Sequence, residues 1–311
     1  FFFIYNTDNY FHFLYDTLPY LISYFELKKH NPEIKLLMQF PNPQKQEMYR
    51  FVLEFLEILN IAKNDIIIAD KNTNYNEIYI SSSYTHAIDS NLPPRKEIFI
   101  FYKKIVDIIR VKYKNIQTPK KIYVSRRTWL HNDLSNIGTN YTTRRKMVNE
   151  DELVEKLVLD GYQEVFAEKL TTIKKIQYFS NATHVIGAIG GGIANVLFCN
   201  QKTKLRAIIS PTFLDVNKRF KFCLDNIDVT YDMNTTHVEK TKFKRYMRVK
   251  IIDSNIIGEI EDIYENKLLI SYTDSSNVGW NSQNNYNQKE ILKNDVVKLD
   301  NGLNSHWVYN L

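Results

Sequence analysis

Two short stretches of the chain carry residue types that can do chemistry. In NYFHFLYD, His12 and Asp16 stand four residues apart, so a helix sets both on one face. An imidazole and a carboxylate so placed suit general-base work on a hydroxyl. The plain alternative is a cap-proximal histidine and a solvated aspartate. In HVIGAIGGGIANVLF, residues 184–198, an apolar run meets the glycines Gly190, Gly191 and Gly192 before a second apolar run begins. Backbone N–H groups laid bare at a helix start make an anion site, and absent side chains let a phosphate approach. The plain alternative is a turn with positive φ and close helix–sheet packing.

Cationic partners for a phosphate stand elsewhere. YVSRRTW ends a strand with Arg126 and Arg127, and ligands of open α/β sheets bind at strand carboxyl ends. Arginine offers a forked, permanently charged donor set suited to phosphate. TTRRK adds Arg144 and Arg145, which by themselves read as solvated surface; SYTHAIDS adds His86 and Asp89, which by themselves read as a polar loop. A dinucleotide fingerprint is nearly met by Gly190-x-Gly192, but Asn195 stands where the third glycine belongs. The next strand closes on Ser210 and Pro211 without an acidic residue, which speaks against a Rossmann oxidoreductase. No Asp-x-Asp pair occurs in the chain, so a metal bridging a diphosphate is not expected. Cys199 and Cys223, the only cysteines, make neither a disulfide framework nor a metal cluster.

These residues need elements to position them. Phe11, Leu14, Leu18, Leu21, Ile22 and Phe25 fall at helical spacing between Asp8, a candidate N-cap, and His30. IKLLMQF, DIIIAD and EIYISSS read as strands; QKQEMYRFVLEFLEILN and residues 95–114 read as helices. NIQTPKK marks a boundary. A second alternating set follows it: strands KIYVSR, YQEVFA, THVIGA and KLRAIIS, and helices NEDELVEKLVLDG, TTIKKIQYFSNA and the start GIANVLF. After about Thr241 short period-two runs broken by Gly, Asn and Asp read as a small antiparallel barrel or meander. With 311 residues, 44% hydrophobic and 14% aromatic, the chain can bury a sizeable core. A net charge of +6 is too dispersed to argue for nucleic acid, even with the basic run KRYMRVK, but it suits an anionic small ligand. No stretch reaches the length of a membrane span.

The run from YVSRR to ANVLF resembles the C-terminal half of glycosyltransferase family 61. That family's pattern is a strand ending in Ser-Arg, then Arg with Asn-Glu-x-Glu/Asp-Leu, a strand with a following Glu, and Gly-x-His-Gly-Ala-Gly-Leu-x-Asn. Ser125, Arg126, Arg145, Asn149, Glu150, Glu152, Glu168, Gly187, Gly190, Gly192 and Asn195 match; Ile189 replaces the family His, and Gly191 the family Ala. NYFHFLYD fits the family's Asn-x-x-His-x-x-x-Asp segment, so the resemblance covers about residues 1–230.

The resemblance implies an α/β fold of two Rossmann-like lobes in the GT-B arrangement, to which the β module is appended as an SH3-like unit or meander. Expected boundaries are 1–118 for the acceptor and catalytic lobe, 119–240 for the nucleotide-sugar lobe and 241–311 for the module. The implied function is inverting transfer of a hexose or pentose from a UDP-sugar to a glycan or glycoprotein hydroxyl, without metal or other cofactor. Asp16, with His12 second, is the expected general base. Arg126, Arg127, Arg145, Glu168, Gly190, Gly191, Gly192 and Asn195 are the expected donor-binding residues, with Glu168 on the ribose. Expected partners are the nucleotide-sugar donor and the acceptor, and neither nucleic acid nor a membrane span. The protein is expected to be soluble and cytoplasmic, or secretory after removal of an N-terminal anchor. The rival reading is a degenerate transferase, with Ile189 for the family His, that acts as a non-catalytic glycan- or partner-binding protein.

Overall fold

Apolar runs that switch between period 3.6 and short β-branched blocks stack helices on a parallel sheet. The structure is a computed structural model that describes residues 1–3, 9–40, 47–70, 72–85, 92–127, 145–209, 218–224, 226–233, 235–237, 243–245, 247–254, 256–272, 287–299 and 305–308. In chain order come α1 (Tyr10–His12), α2 (Leu21–His30), β1 (Leu36–Met38), α3 (Arg50–Ile58), β2 (Ile66–Ile68), α4 (Glu97–Lys112), β3 (Lys121–Val124), β4 (Arg145–Met147) and α5 (Glu150–Leu159). Then follow β5 (Gln163–Val165), α6 (Thr172–Asn181), β6 (His184–Ala188), β7 (Lys204–Ile209), α7 (Lys218–Leu224), β8 (Asp228–Met233) and β9 (Thr235–His237). The remaining strands are β10 (Arg248–Ile251), β11 (Ile257–Ile263), β12 (Lys267–Tyr272), β13 (Asn287–Leu292), β14 (Val296–Lys298) and β15 (Ser305–Val308).

The chain forms two compact units. One holds Phe1–Thr139, Leu157–Ala207 and Lys218–Tyr231; the other holds Asn140–Lys156, Ile208–Asn217 and Asp232–Leu311. The main sheet of the first unit has the order β5-β3-β6-β7-β8, with β3 parallel to β5 on one side and to β6 on the other. Counted from β3, that is the doubly wound order 2-1-3-4-5, whose winding reverses between β3 and β6. Ile122, Tyr123 and Val124 are all buried, as a strand covered on both faces requires. Nearer the amino end, β1 and β2 pair in parallel, and Phe2 bridges Leu37 in parallel beyond them. The strand expected at Glu77–Ser83 does not form a ladder. Among the described residues its one backbone–backbone bond runs from Phe2 N to the Tyr79 carbonyl at 2.9 Å, and Ile78 and Ile80 stay exposed, so the alternation covers no apolar face.

The single helix expected from Asp8 to His30 is broken into stages. Asp8 lies outside the described residues, and the observed cap is Asn9, whose side chain accepts from Phe11 N and His12 N. After α1 the chain widens into a π-turn, Phe13–Thr17, where Leu18 N reaches back to Phe13 O. It then tightens into a 3₁₀ turn, Leu18–Tyr20, before α2 begins. Pro19 explains the break: it donates nothing, and its ring excludes the carbonyl of Tyr15 from the regular ladder.

An aromatic cluster fixes this segment to the rest of the unit. The Phe13 ring centroid lies 5.2 Å from that of Phe51 and 5.9 Å from that of Phe55. Phe198 then meets Phe55 at 6.1 Å and Tyr102 at 5.4 Å. The Tyr102 hydroxyl donates to the Leu14 carbonyl. Rings from the amino-terminal segment, α3, α4 and the stretch after the glycines thus share one core.

In the second unit β10 to β13 form a meander and β14 crosses to pair with β10 at the far edge, giving the order β13-β12-β11-β10-β14, antiparallel at every pairing. Met247, Val249, Ile251, Ile260, Leu268, Ile270, Ile291 and Val296 fill its core, in the alternation the period-two runs call for. A separate sheet places β15 between β4, to which it is parallel, and β9, to which it is antiparallel.

Candidate functional site

The carboxyl ends of β3 and β6 flank the point where the winding of the main sheet reverses, and there the sequence sets Ser125 and Arg126 beside Ile189 and the glycines. Arg126 is buried, and its Nη1 donates to the Ile189 carbonyl at 3.2 Å across the strand ends. The Ile189 side chain is itself buried. The glycines serve close approach. A Cβ on Gly187 would stand 2.9 Å from Ile193 Cδ1, and one on Gly192 would stand 2.9 Å from Val124 Cγ1. On Gly190 it would stand 2.5 Å from Arg126 Nη1. None of the three has positive φ; among the described glycines that conformation belongs to Gly161, at 81°. The expected helix at GIANVLF is a 3₁₀ turn, Ile193–Phe198, in which Asn195 Nδ2 folds back on the Gly192 carbonyl at 2.8 Å. So short a turn sums few peptide dipoles, and positive charge beside it comes mainly from side chains.

One consequence is measurable. Gly190→Ala is expected to lower the melting temperature by several degrees, because the new methyl would stand 2.5 Å from Arg126 Nη1 and must push the guanidinium off the Ile189 carbonyl. A thermal melt checks this; an unchanged melting temperature would mean that the guanidinium moves aside freely.

The amino-terminal segment docks directly on this turn. A Cβ on Gly191 would lie 3.7 Å from Tyr10 Cβ, and the Tyr10 hydroxyl donates to Asn195 Oδ1 at 2.7 Å. Burial, helped by the Glu54 charge, pushes the Tyr10 phenol far up, against the pull of the Asn195 hydrogen bond. Two residues beyond Tyr10, His12 Nδ1 lies 2.7 Å from Asp16 Oδ2. An ionised carboxylate only accepts, so Nδ1 is the donor of this bond, and whenever the ring is neutral Nε2 keeps its lone pair. Among the described residues Nε2 has no hydrogen-bond partner. The His12 side chain is 22% exposed and that of Asp16 10%. Asp16 Oδ1 accepts from Thr85 Oγ1 at 3.2 Å. Thr85 is held in turn by its stretch: Ser23 Oγ on α2 meets Ser81 Oγ at 2.7 Å and the Tyr84 hydroxyl at 2.9 Å. Cys223 on α7 is buried, and burial together with the Asp16 charge raises its thiol well above the usual range.

Arg127 turns the other way. It forks onto Glu164 of β5, Nε to Oε1 at 2.8 Å and Nη2 to Oε2 at 2.5 Å. Glu168 sits half-buried in the turn Ala167–Lys169, directly past β5. Arg145 opens β4 in the second unit. His86, Asp89 and Arg144 lie outside the described residues. The structure therefore gathers His12, Asp16, Arg126, Gly190, Gly191, Gly192 and Asn195 within one unit. Among the described residues no group of three or more His, Cys, Asp or Glu is placed to hold a metal ion. Among them, too, no helix is long and apolar enough to cross a membrane.

Three side chains packed around this segment escaped sequence reasoning: Tyr10, Thr85 and Lys175, whose Nζ lies 4.4 Å from the Tyr10 ring centroid. Tyr10 and Thr85 act across 185 and 69 residues of sequence, where no local pattern reaches. Lys175 had a signal. It shares the apolar spacing of Thr172, Ile176 and Phe179 on α6, where a solvated lysine does not belong.

A family model described as Glycosyltransferase 61 matches residues 10–205, a span that takes in both the His12–Asp16 segment and the glycine turn. No curated protein matches the chain.

Proposed function

The chain belongs to glycosyltransferase family 61, and from that premise we propose that it moves a sugar, with inversion, from a UDP-sugar to a hydroxyl of a glycan or glycoprotein. The observation that carries the proposal is the docking of the His12–Asp16 segment on the glycine turn beside Arg126. It brings an imidazole–carboxylate pair and a buried guanidinium into one compact unit. In this scheme the diphosphate lies where the sheet winding reverses, with Arg126 meeting its charge. Glu168 takes the ribose hydroxyls. Arg127, through Glu164, holds the end of β3 in register. In GT-B terms, residues 119–240 bind the nucleotide and residues 1–118 supply the base.

His12 and Asp16 work as a pair. The acceptor hydroxyl gives its proton to Nε2 of His12 as its oxygen attacks the anomeric carbon. The bond from that carbon to the diphosphate oxygen breaks on the opposite face. Asp16 fixes the tautomer and stabilises the imidazolium that forms, the division of labour known from hydrolase triads.

A screen for UDP release from UDP-glucose, -GlcNAc, -xylose, -galactose and -arabinose with mixed acceptors tests the proposal. Release from at least one donor is expected, and none from any would overturn it. One observation favours the second reading, a non-catalytic binding protein: Ile189 puts a buried apolar side chain where the family has histidine. UDP binding without release would select it.

Turnover is expected to persist in EDTA. The chain lacks an Asp-x-Asp pair, and Arg126 supplies charge at the turn. Activity lost to the chelator and restored by Mn²⁺ would refute the metal-free scheme.

A further inference from the structure

Lys175 is 3% exposed, which is rare for a lysine without a bound counter-charge. Its Nζ stands 4.4 Å from the centroid of the Tyr10 ring, and among the described residues no hydrogen-bond acceptor meets it. The groups whose charge reaches it are Glu54 and Arg50 on α3 and Glu168 in the turn after β5. Glu54 is already engaged: Oε1 takes Arg50 Nε at 2.9 Å, and Oε2 takes Thr172 N at 2.8 Å. One turn before Lys175, the Thr172 hydroxyl is buried and has no partner among the described residues either. Two unpartnered polar groups thus stand three residues apart on one face of α6. Burying an ammonium without a bonded anion is costly. A methionine would fill the same space without that cost. Burial holds the ammonium down to about 8, against the pull of the two glutamates.

The Tyr10 ring beneath this ammonium is the one packed on Gly191 and bonded to Asn195. We infer that Lys175 is an anion-binding residue of the donor site, its ammonium taking a phosphate oxygen of the nucleoside diphosphate while the Tyr10 ring holds it in place. The inference rests on the donor reading above. Arg126 approaches the glycine turn from the strand ends, and Lys175 approaches it through Tyr10 from α6. An incoming phosphate supplies the acceptor that the fold withholds.

The test is calorimetry on the full chain with UDP and with inorganic pyrophosphate, for the wild type, Lys175→Met and Lys175→Arg. Lys175→Met is expected to weaken both ligands about tenfold at pH 7, the low end for a charge-assisted bond. Wild-type UDP affinity is expected to fall from pH 7 to pH 9, because the free ammonium loses its proton near 8 and the bound phosphate needs it charged. Tyr10, held far up, stays neutral across that range. The fall should vanish in Lys175→Met and in Lys175→Arg, whose guanidinium stays charged. A purely structural lysine would leave the pH dependence of UDP affinity untouched. UDP bound equally by wild type and Lys175→Met, or a flat wild-type profile, overturns the inference and leaves the donor reading standing. Pyrophosphate bound through Lys175 with no UDP binding upholds the inference and ends the UDP reading. A wild type that binds neither ligand ends both.

Discussion

Asp16→Asn is expected to lower turnover about 10²–10⁴-fold while leaving UDP-sugar binding nearly intact. The change is almost isosteric, so Thr85 Oγ1 can still donate to the side-chain oxygen and the π-turn can keep its shape. What is lost is the negative charge 2.7 Å from His12 Nδ1. An amide can offer that nitrogen an N–H instead of an oxygen, and the ring can then settle in the tautomer whose Nε2 is protonated and cannot accept. Even in the correct tautomer, an imidazolium beside a neutral amide forms at higher cost. His12→Ala should lose a similar factor. The double variant should lose little more than either one, because the two act as a unit. Should His12→Ala turn over normally and Asp16→Asn not, the carboxylate is itself the base. Normal turnover in Asp16→Asn with a lowered melting temperature would assign the pair a structural role only.

Arg126→Ala is expected to weaken UDP binding by about 10–150-fold, the loss of a charge-assisted contact of about 1.5–3 kcal/mol. The guanidinium is buried and tied to the Ile189 carbonyl at 3.2 Å, so it is already oriented and gives up little freedom when a phosphate arrives. Arg126→Lys should recover only part of the loss. A lysine can supply charge to the phosphate but cannot keep one nitrogen on Ile189 while another faces the ligand. Calorimetry decides the point, with melting temperatures recorded alongside. Unchanged UDP affinity in a folded Arg126→Ala protein would move the diphosphate away from the carboxyl ends of β3 and β6.

Much of this was legible in order along the chain. The β-branched blocks of KIYVSR, THVIGA and KLRAIIS became β3, β6 and β7, and the spacing of TTIKKIQYFSNA became α6 with Thr171 as its cap. The meander after about Thr241 followed from period two. The chemistry-bearing residue types, His12 with Asp16 and Arg126 with the glycines, could be picked out because imidazole, carboxylate and guanidinium in such spacing have few uses.

Local pattern was a poorer guide wherever backbone geometry depends on what packs against it. Helical spacing from Phe11 to Phe25 could not show that Pro19 forces a π-turn and then a 3₁₀ turn, because apolar periodicity survives that break. The glycine run also allowed a positive-φ turn, yet Gly190, Gly191 and Gly192 lack positive φ, and the 2.5–2.9 Å approaches at Gly187, Gly190 and Gly192 show space made for Ile193, Arg126 and Val124, which local pattern cannot reveal.

By itself the sequence determined which groups are available and which elements carry them, since propensity and burial pattern act within a few residues. Only the tertiary structure decided which groups meet. Tyr10 reaches Asn195, Thr85 holds Asp16, Arg127 is drawn to Glu164, and β15 returns to lie between β4 and β9. A long-range contact forms when burying two surfaces together outweighs the loop entropy of closing the chain between them, and that balance is set by the whole core. The same balance put Lys175 inside, where its neighbours on α6 earned burial and its charge did not.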